Sequence, residues 1–190
     1  SCEPGFTETS AISIDWFYNY LLFDFTYGAA MESLGSIMVT LFETFDADPV
    51  FLMILKKLAG SRMGLYVHEG RCGDRAILRE LLTGVRCEAL TPVGPMGAPG
   101  ELWYTRVLEP LLPQSDARVV FTMPYLCEAG EVAWRNHLDA ILPEGQVERM
   151  EAYEKFMKQG PEPRFWPEFI KESYTRRGDL LASLKGLPRL

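Results

Sequence analysis

The stretch that decides the fold is residues 64–90, which read GLYVHEGRCGDRAILRELLTGVRCEAL. Short apolar runs with alternating polar residues lie along it, and turn-forming sequences separate them at 70–74 and at Thr83-Gly84. An alternating pattern is typical of strands that bury one face. It predicts three consecutive antiparallel strands, at 64–68, 75–81 and 85–90.

The sequence that follows extends this set of strands. Residues 92–100 contain three prolines and three glycines, which predicts a loop without regular structure. Two more strand-like runs come after the loop, at 101–108 and 118–125. Five short strands joined mostly by tight turns predict an antiparallel meander that curls into a small barrel, SH3-like or OB-like.

Helical spacing of apolar residues flanks the strands on both sides. The predicted helices begin at Ser10 or Ser13 and end near Gly28, and then span 29–45, 48–60, 129–142, 146–159 and 165–174, with a last short turn at 179–184. The chain is therefore predicted to be an α+β protein. Helical layers at 1–60 and 128–190 would flank the barrel at 61–127 in one compact unit.

The charge balance argues against a nucleic-acid partner. The 190 residues include 19 Lys and Arg against 26 Asp and Glu, a net charge of −7. Nucleic-acid binding without sequence preference needs a cationic surface that displaces counterions. The acidic surplus lies in residues 1–60, which carry eight acidic and two basic side chains.

Two other features bear on where the protein works. No run reaches the roughly 20 consecutive apolar residues of a membrane-spanning helix, so no membrane partner is expected. The four cysteines are too few and too dispersed for a disulfide framework in a chain of this length. A reduced, cytoplasmic setting is the simpler interpretation.

The histidines and cysteines provide a candidate metal or thiol site. His68 and Cys72 lie four residues apart, and Cys87 on a neighbouring strand could complete a set of zinc ligands. Zinc sites usually use closer pairs, which this sequence lacks, so we predict no metal and no cofactor. Cys127 and His137 form another thiol–imidazole pair, but about 15 Å of predicted helix separates them.

The aromatic and arginine side chains provide a candidate partner surface. Trp103 and Tyr104 are adjacent on a predicted strand, so one should fill the barrel while the other packs on a helix or borders a groove. With Arg79, Arg106 and Trp166 they could form a surface for a ligand or partner. Core packing and cross-strand ion pairs are the favoured alternative for these residues.

Several short motifs stand out together. They are Asp15-Trp16-Phe17, Phe23-Asp24-Phe25, Ser61-Arg62-x-Gly64-Leu65-Tyr66, Leu81-Leu82-Thr83-Gly84, Glu101-Leu102-Trp103-Tyr104-x-Arg106, Val120-Phe121-Thr122-x-Pro124-Tyr125 and Tyr153-x2-Phe156-Met157-Lys158. Together these motifs resemble an uncharacterised family of bacterial proteins, whose middle part is similar to a stretch found beside SEC-C zinc motifs in hypothetical proteins. The zinc-binding Cys/His motif itself is absent here, so the resemblance implies no metal and no catalytic residues.

These observations lead to one preferred function and two alternatives. The preferred function is a non-enzymatic binding or adaptor module for a protein or peptide, acting through the barrel and its 92–100 loop. The first alternative is a metal-dependent or thiol hydrolase that uses the His and Cys residues of the barrel region. The second is an oligomeric structural protein with the first helix as its interface.

Overall fold

The structure, a computed structural model, describes residues 11–111, 116–177 and 182–189. Its strands are β1 (Thr26–Tyr27), β2 (Glu32–Ser33), β3 (Met63–Cys72), β4 (Arg75–Glu80), β5 (Arg86–Leu90), β6 (Leu102–Leu108), β7 (Arg118–Val120), β8 (Tyr125–Cys127), β9 (Tyr174–Arg176) and β10 (Ala182–Leu184). Its α-helices are α1 (Ala11–Asn19), α2 (Leu34–Thr44), α3 (Pro49–Gly60), α4 (Gly130–Ile141), α5 (Gln146–Gln159) and α6 (Phe165–Ser173). A π-helical turn, Tyr20–Asp24, follows α1.

Five strands close into a barrel in the order β3-β4-β5-β7-β6, and β6 pairs back to β3. This confirms the predicted α+β fold with a small central barrel. The strands are mixed rather than purely antiparallel, because β5 and β7 run parallel with Ala89 beside Arg118. Outside the barrel the sheet continues from β6 through β8 and β10 to β9.

The predicted strand at 118–125 is divided into β7 and β8. Between them, the Thr122 hydroxyl accepts a hydrogen bond from the Arg106 backbone N–H at 2.9 Å. Pro124 has no N–H to donate to a neighbouring strand. Strand pairing is therefore interrupted here, and β8 resumes it further along β6, opposite Trp103 and Tyr104.

Strand β6 separates two hydrophobic cores. Trp103 belongs to the barrel interior, whose other buried members are Tyr66, Ala76, Leu78, Ala89 and Val120. Tyr104 belongs to a larger core between the outer wall of the barrel and helices α1, α4, α5 and α6. Adjacent strand residues face opposite sides, and the structure confirms this expectation for Trp103 and Tyr104.

Several helices begin and end where the sequence predicted. Asp48 caps α3 as predicted, because its carboxylate accepts from the backbone N–H groups of Val50 at 3.0 Å and Phe51 at 2.9 Å. Helices α4, α5 and α6 lie within one residue of their predicted bounds. None of the described helices has the length and apolar character that crossing a bilayer requires.

Other predicted helical bounds were wrong. The first helix passes into the π-helical turn at Tyr20 and ends before Phe25, whose N–H donates to the Tyr20 carbonyl at 2.8 Å. The second begins only at Leu34, where the Ser33 hydroxyl caps it by accepting from the Ser36 N–H at 3.2 Å. The last predicted turn, at 179–184, forms strand β10 from Ala182 onward. Residues 179–181 of that predicted turn lie outside the described residues, and so does the predicted cap Ser10.

Candidate functional site

Most of the predicted partner surface lies in the interior. Trp103, Tyr104, Arg106 and Trp166 are each no more than 2% exposed. The Tyr104 and Trp166 rings stack at 4.9 Å between centroids, and the Trp166 indole N–H donates to the Phe156 carbonyl at 2.7 Å. Side chains with so little exposure offer no area to a partner. The surface prediction is therefore wrong for these four residues, and the core-packing alternative explains the aromatic ones.

Arg106 is buried because an ion pair with Asp24 holds it. Its Nη2 donates to Asp24 Oδ2 at 2.5 Å, and its Nη1 donates to the Ser61 hydroxyl at 2.7 Å. Burial raises the pKa of Asp24 to about 6, and the charges of Arg106 and Lys158 offset this effect only in part. Since Asp24 ends the π-helical turn, the pair connects the N-terminal helices to the wall of the barrel.

Arg79 lies at the surface but is fully engaged in ion pairs. Its guanidinium donates to Glu69 at 2.7 Å and to both carboxylate oxygens of Glu131, at 3.1 and 3.2 Å. Glu69 also pairs with Arg86 at 2.7 Å. These contacts match the ion-pair alternative for the arginines of the strands.

The predicted alternative metal site does not assemble in the described residues. His68 is buried beside Trp103, with 4.8 Å between the ring centroids. Cys72 is exposed at the end of β3, whereas Cys87 is half-buried on β5. In the part of the chain that the structure describes, no three His, Cys, Asp or Glu side chains are grouped as metal ligands would be.

We expect alkylation with iodoacetamide to distinguish the three described cysteines. Cys72 is exposed and should react first. Cys87 should react more slowly, because burial raises the pKa of its thiol despite the opposing effect of Arg118. Cys127 is buried, which raises its pKa strongly, so it should react only as the chain unfolds. Peptide mapping by mass spectrometry gives the order of modification. Faster modification of Cys87 than of Cys72 would contradict a half-buried Cys87 thiol with a raised pKa.

The loop 92–100 closes one end of the barrel. Met96 packs against the interior cluster, and Gly97 lies so close to Trp103 that a Cβ would come within 2.0 Å of Trp103 Cζ2. The Gly100 N–H donates to the His68 carbonyl at 2.8 Å. The loop therefore fixes this end of the barrel.

The opposite end of the barrel is open and forms a cleft of about 430 Å³. The C-terminal end of α3 stands beside it, and Tyr66, Cys87 and Val107 of the strands lie at its base, where they join the interior cluster. A volume of this size is within the usual range for ligand sites, roughly 300 to 1,000 Å³. We call this region the open-end cleft.

Two arginine–glutamate pairs line the open-end cleft. Arg62 Nη1 lies 2.9 Å from Glu80 Oε1. Arg118 binds Glu109 through two contacts, Nη2 to Oε1 at 2.6 Å and Nε to Oε2 at 3.1 Å. Lys57 adds a third cation from α3 and donates to the Pro110 carbonyl. The cleft therefore has three cationic and two anionic side chains, within a protein whose net charge is negative.

The two pairs differ in how firmly they are held. The Arg62 guanidinium also lies 4.8 Å from the centroid of the Tyr153 ring, and Glu80 accepts a further hydrogen bond from Thr83 at 2.8 Å. In contrast, the side chain of Glu109 is 65% exposed. Water screens a pair with one exposed partner more than it screens a buried one. A ligand carboxylate would therefore compete with Glu109 for Arg118.

The uncharged groups of the open-end cleft are protonated. Burial and the neighbouring Glu80 raise the pKa of the Tyr66 hydroxyl far above its usual value. Burial likewise raises the pKa of the Cys87 thiol. A protonated phenol and thiol provide hydrogen-bonding and apolar contacts, while a nucleophilic thiol would need a lowered pKa. The Cys87 thiol therefore lacks the lowered pKa of a nucleophile.

Sequence reasoning did not predict the residues of the open-end cleft as a group. They come from three segments of the chain, one with Lys57 and Arg62, one with Glu80 and one with Glu109 and Arg118, and closure of the barrel brings these segments together. Their local sequence carries one modest signal: Arg62 directly precedes β3, and Arg118 is the first residue of β7. That position alone does not distinguish a cleft from a solvated barrel rim.

Comparison with known proteins identified no relative of the chain. No protein-family model, no curated protein and no solved structure matches the chain. The resemblance to the uncharacterised bacterial family therefore stays a prediction, and the functional argument depends on the geometry of the chain itself.

Proposed function

We propose that the chain is a non-enzymatic binding module that takes a protein or peptide partner in its open-end cleft. One observation carries the proposal: two ion pairs of different strength line the same cleft. Arg62 and Glu80 hold each other firmly, whereas Arg118 can exchange Glu109 for another carboxylate. The first keeps the cleft in shape when it is empty. The second leaves an arginine whose bidentate geometry suits another carboxylate.

The charges favour a peptide segment with an acidic group. Lys57 and Arg118 together supply more positive charge than Glu109 neutralises. The base formed by Tyr66 and Val107 suits an apolar side chain next to that acidic group. The preferred partner is therefore a peptide with a carboxylate, from a side chain or a C-terminus, and an apolar neighbour.

The alternative, a metal-dependent or thiol hydrolase, has less support. Its candidate residues His68, Cys72 and Cys87 lie in three different environments, and the thiol of Cys87 has a raised pKa. We further propose that the module works in the cytoplasm, where Cys72, Cys87 and Cys127 would remain free thiols, as they are here. Membership of the resembled bacterial family is part of the same proposal.

Selection from a random peptide library displayed on phage tests this function. The full chain is immobilised, and the selected peptides are then synthesised for affinity measurement by calorimetry. We expect enriched peptides with an acidic residue beside an apolar one. Arg118→Ala should weaken their binding about tenfold or more, since a charged hydrogen-bonded contact contributes about 1.5–3 kcal/mol.

The matched control is Arg135→Ala, which removes another surface arginine that pairs with a glutamate, Glu131, outside the cleft. It should leave the affinity unchanged. Absence of any enriched sequence, or equal losses for the two variants, would refute binding at the open-end cleft. Thermal unfolding of both variants would show that each remains folded.

A further inference from the structure

Helices α2 and α3 form a hairpin with an exposed apolar face. Leu34, Ile37, Leu41 and Phe45 repeat at helical spacing along one side of α2 and its end. Val50 and Phe51 are exposed at the start of α3, where the Phe51 ring packs edge-on against Phe42 of α2 at 5.2 Å between centroids. These six side chains are between 39% and 72% exposed. We call them the hairpin face.

Helix α2 packs on α3, where the Phe42 ring meets Phe51, and on the π-helical turn. The residue it buries is Gly35, which lies against the Phe23 ring so closely that a Cβ there would come within 2.7 Å of the ring. A short helix in water depends on burying an apolar side, and an exposed apolar patch usually marks an interaction site. The hairpin is held to the rest of the chain at Gly35, at buried Leu55 of α3 and through Lys57, which donates to the Pro110 carbonyl. Within the described residues its apolar side stays exposed.

The size of the hairpin face matches a protein interface. Six large side chains exposed to this degree present on the order of 500 Å² of apolar surface. A standard interface buries about 800 Å² on each partner, of which roughly 56–65% is apolar. The face therefore supplies about the apolar area that one side of a stable dimer needs.

The charges around the hairpin face argue against an anionic membrane. Acidic Glu32 lies at one end of the hairpin, and Asp46 and Asp48 lie at the other. Of the two lysines, Lys56 pairs with Glu43 at 2.6 Å, and Lys57 donates to the Pro110 carbonyl. A surface that binds anionic lipid would instead carry unpaired basic residues beside its apolar side.

We propose that the hairpin face docks against the same face of a second copy and forms a two-fold symmetric dimer. A helical hairpin with one apolar side can pair with itself as a four-helix arrangement. Acidic residues stand at both ends of the hairpin, so either antiparallel or parallel docking brings like charges together. Salt screens that repulsion, and the dimer is expected to strengthen as ionic strength rises.

Sedimentation equilibrium of the full chain, over a range of protein and salt concentrations, tests the proposal. The wild-type chain should dimerise, and more tightly at high salt. Ile37→Asp and Leu41→Asp should each weaken the dimer about a hundredfold, because they place a carboxylate in the centre of the face. Both positions are exposed in one copy, so at protein concentrations low enough to keep the wild type monomeric the variants should unfold close to the wild-type temperature.

Val132→Asp is the matched control, because Val132 is an exposed valine on α4, outside the hairpin face. It should dimerise like the wild type. A monomer at all concentrations, or equal loss in Val132→Asp and Leu41→Asp, would overturn the proposal. Dimerisation that weakens with salt would also overturn it. So would flotation of a monomeric chain with vesicles of zwitterionic phosphatidylcholine, since a lipid surface would then occupy the face.

Discussion

Replacing Arg106 with methionine is expected to lower the free energy of unfolding by about 3–5 kcal/mol, the usual cost of removing one partner of a buried ion pair. Arg106 and Asp24 are both almost completely buried, and Arg106 provides the hydrogen-bonded counterion of the Asp24 carboxylate. Without the arginine, that carboxylate must either stay charged in the interior or take up a proton. Urea unfolding followed by circular dichroism measures the loss.

A double variant separates the ion pair from general damage to the core. Asp24→Leu with Arg106→Met replaces both charges with apolar side chains of similar size, and it should recover most of the stability lost in Arg106→Met. Losses that simply add in the double variant would contradict a direct pair. If Arg106→Met lowers the free energy of unfolding by less than about 1 kcal/mol, Arg106 would behave as an exposed surface arginine, which would contradict its burial.

Replacing Trp103 with alanine is the second change with a large expected effect. Truncation of a large aromatic side chain in a packed core costs about 3–5 kcal/mol, because it removes buried area and leaves a cavity. Trp103 fills the interior of the barrel, touches the 92–100 loop and donates its indole N–H to Glu101 at 3.0 Å. The loss should therefore combine poorer packing with a less firmly closed barrel end.

Two controls accompany the Trp103 prediction. Trp103→Phe keeps most of the volume and should cost much less than Trp103→Ala. Tyr18→Ala truncates an aromatic residue that is 60% exposed on α1, and its effect should stay within about 0.5–1 kcal/mol. A similarly small effect of Trp103→Ala would contradict a buried position and would restore Trp103 to the predicted partner surface.

Much of the barrel could be predicted because strand alternation is a local property. The opposite directions of Trp103 and Tyr104 followed from their adjacency, and the cap at Asp48 followed from the proline after it. The parallel pairing of β5 with β7 could not be predicted, since it depends on β6 crossing the barrel to pair with β3 and on β7 lying between β5 and β6. The π-helical turn before Phe25 likewise has no local signal that separates it from a continuing helix.

The candidate site was less accessible to sequence reasoning than the fold. Composition identified Trp103 and Arg106 as residues that could bind a partner, but composition does not say which side of a strand faces water. The Arg62–Glu80 pair forms at the ends of the neighbouring strands β3 and β4, and the Arg118–Glu109 pair at the ends of β6 and β7. The open-end cleft needs both pairs at one end of the barrel, and only closure of the barrel places them there. Long-range closure is a property of the whole sheet and leaves no mark on any single segment.

Partner binding at the open end of the barrel is tested most directly by nuclear magnetic resonance. The isotopically labelled full chain is titrated with a peptide selected from the library, and amide shifts are followed along the chain. The largest changes should fall at Arg62, Glu80, Cys87 and Arg118, with little change in the 92–100 loop. Changes concentrated in that loop or on α2, with the cleft residues unmoved, would contradict binding at the open-end cleft.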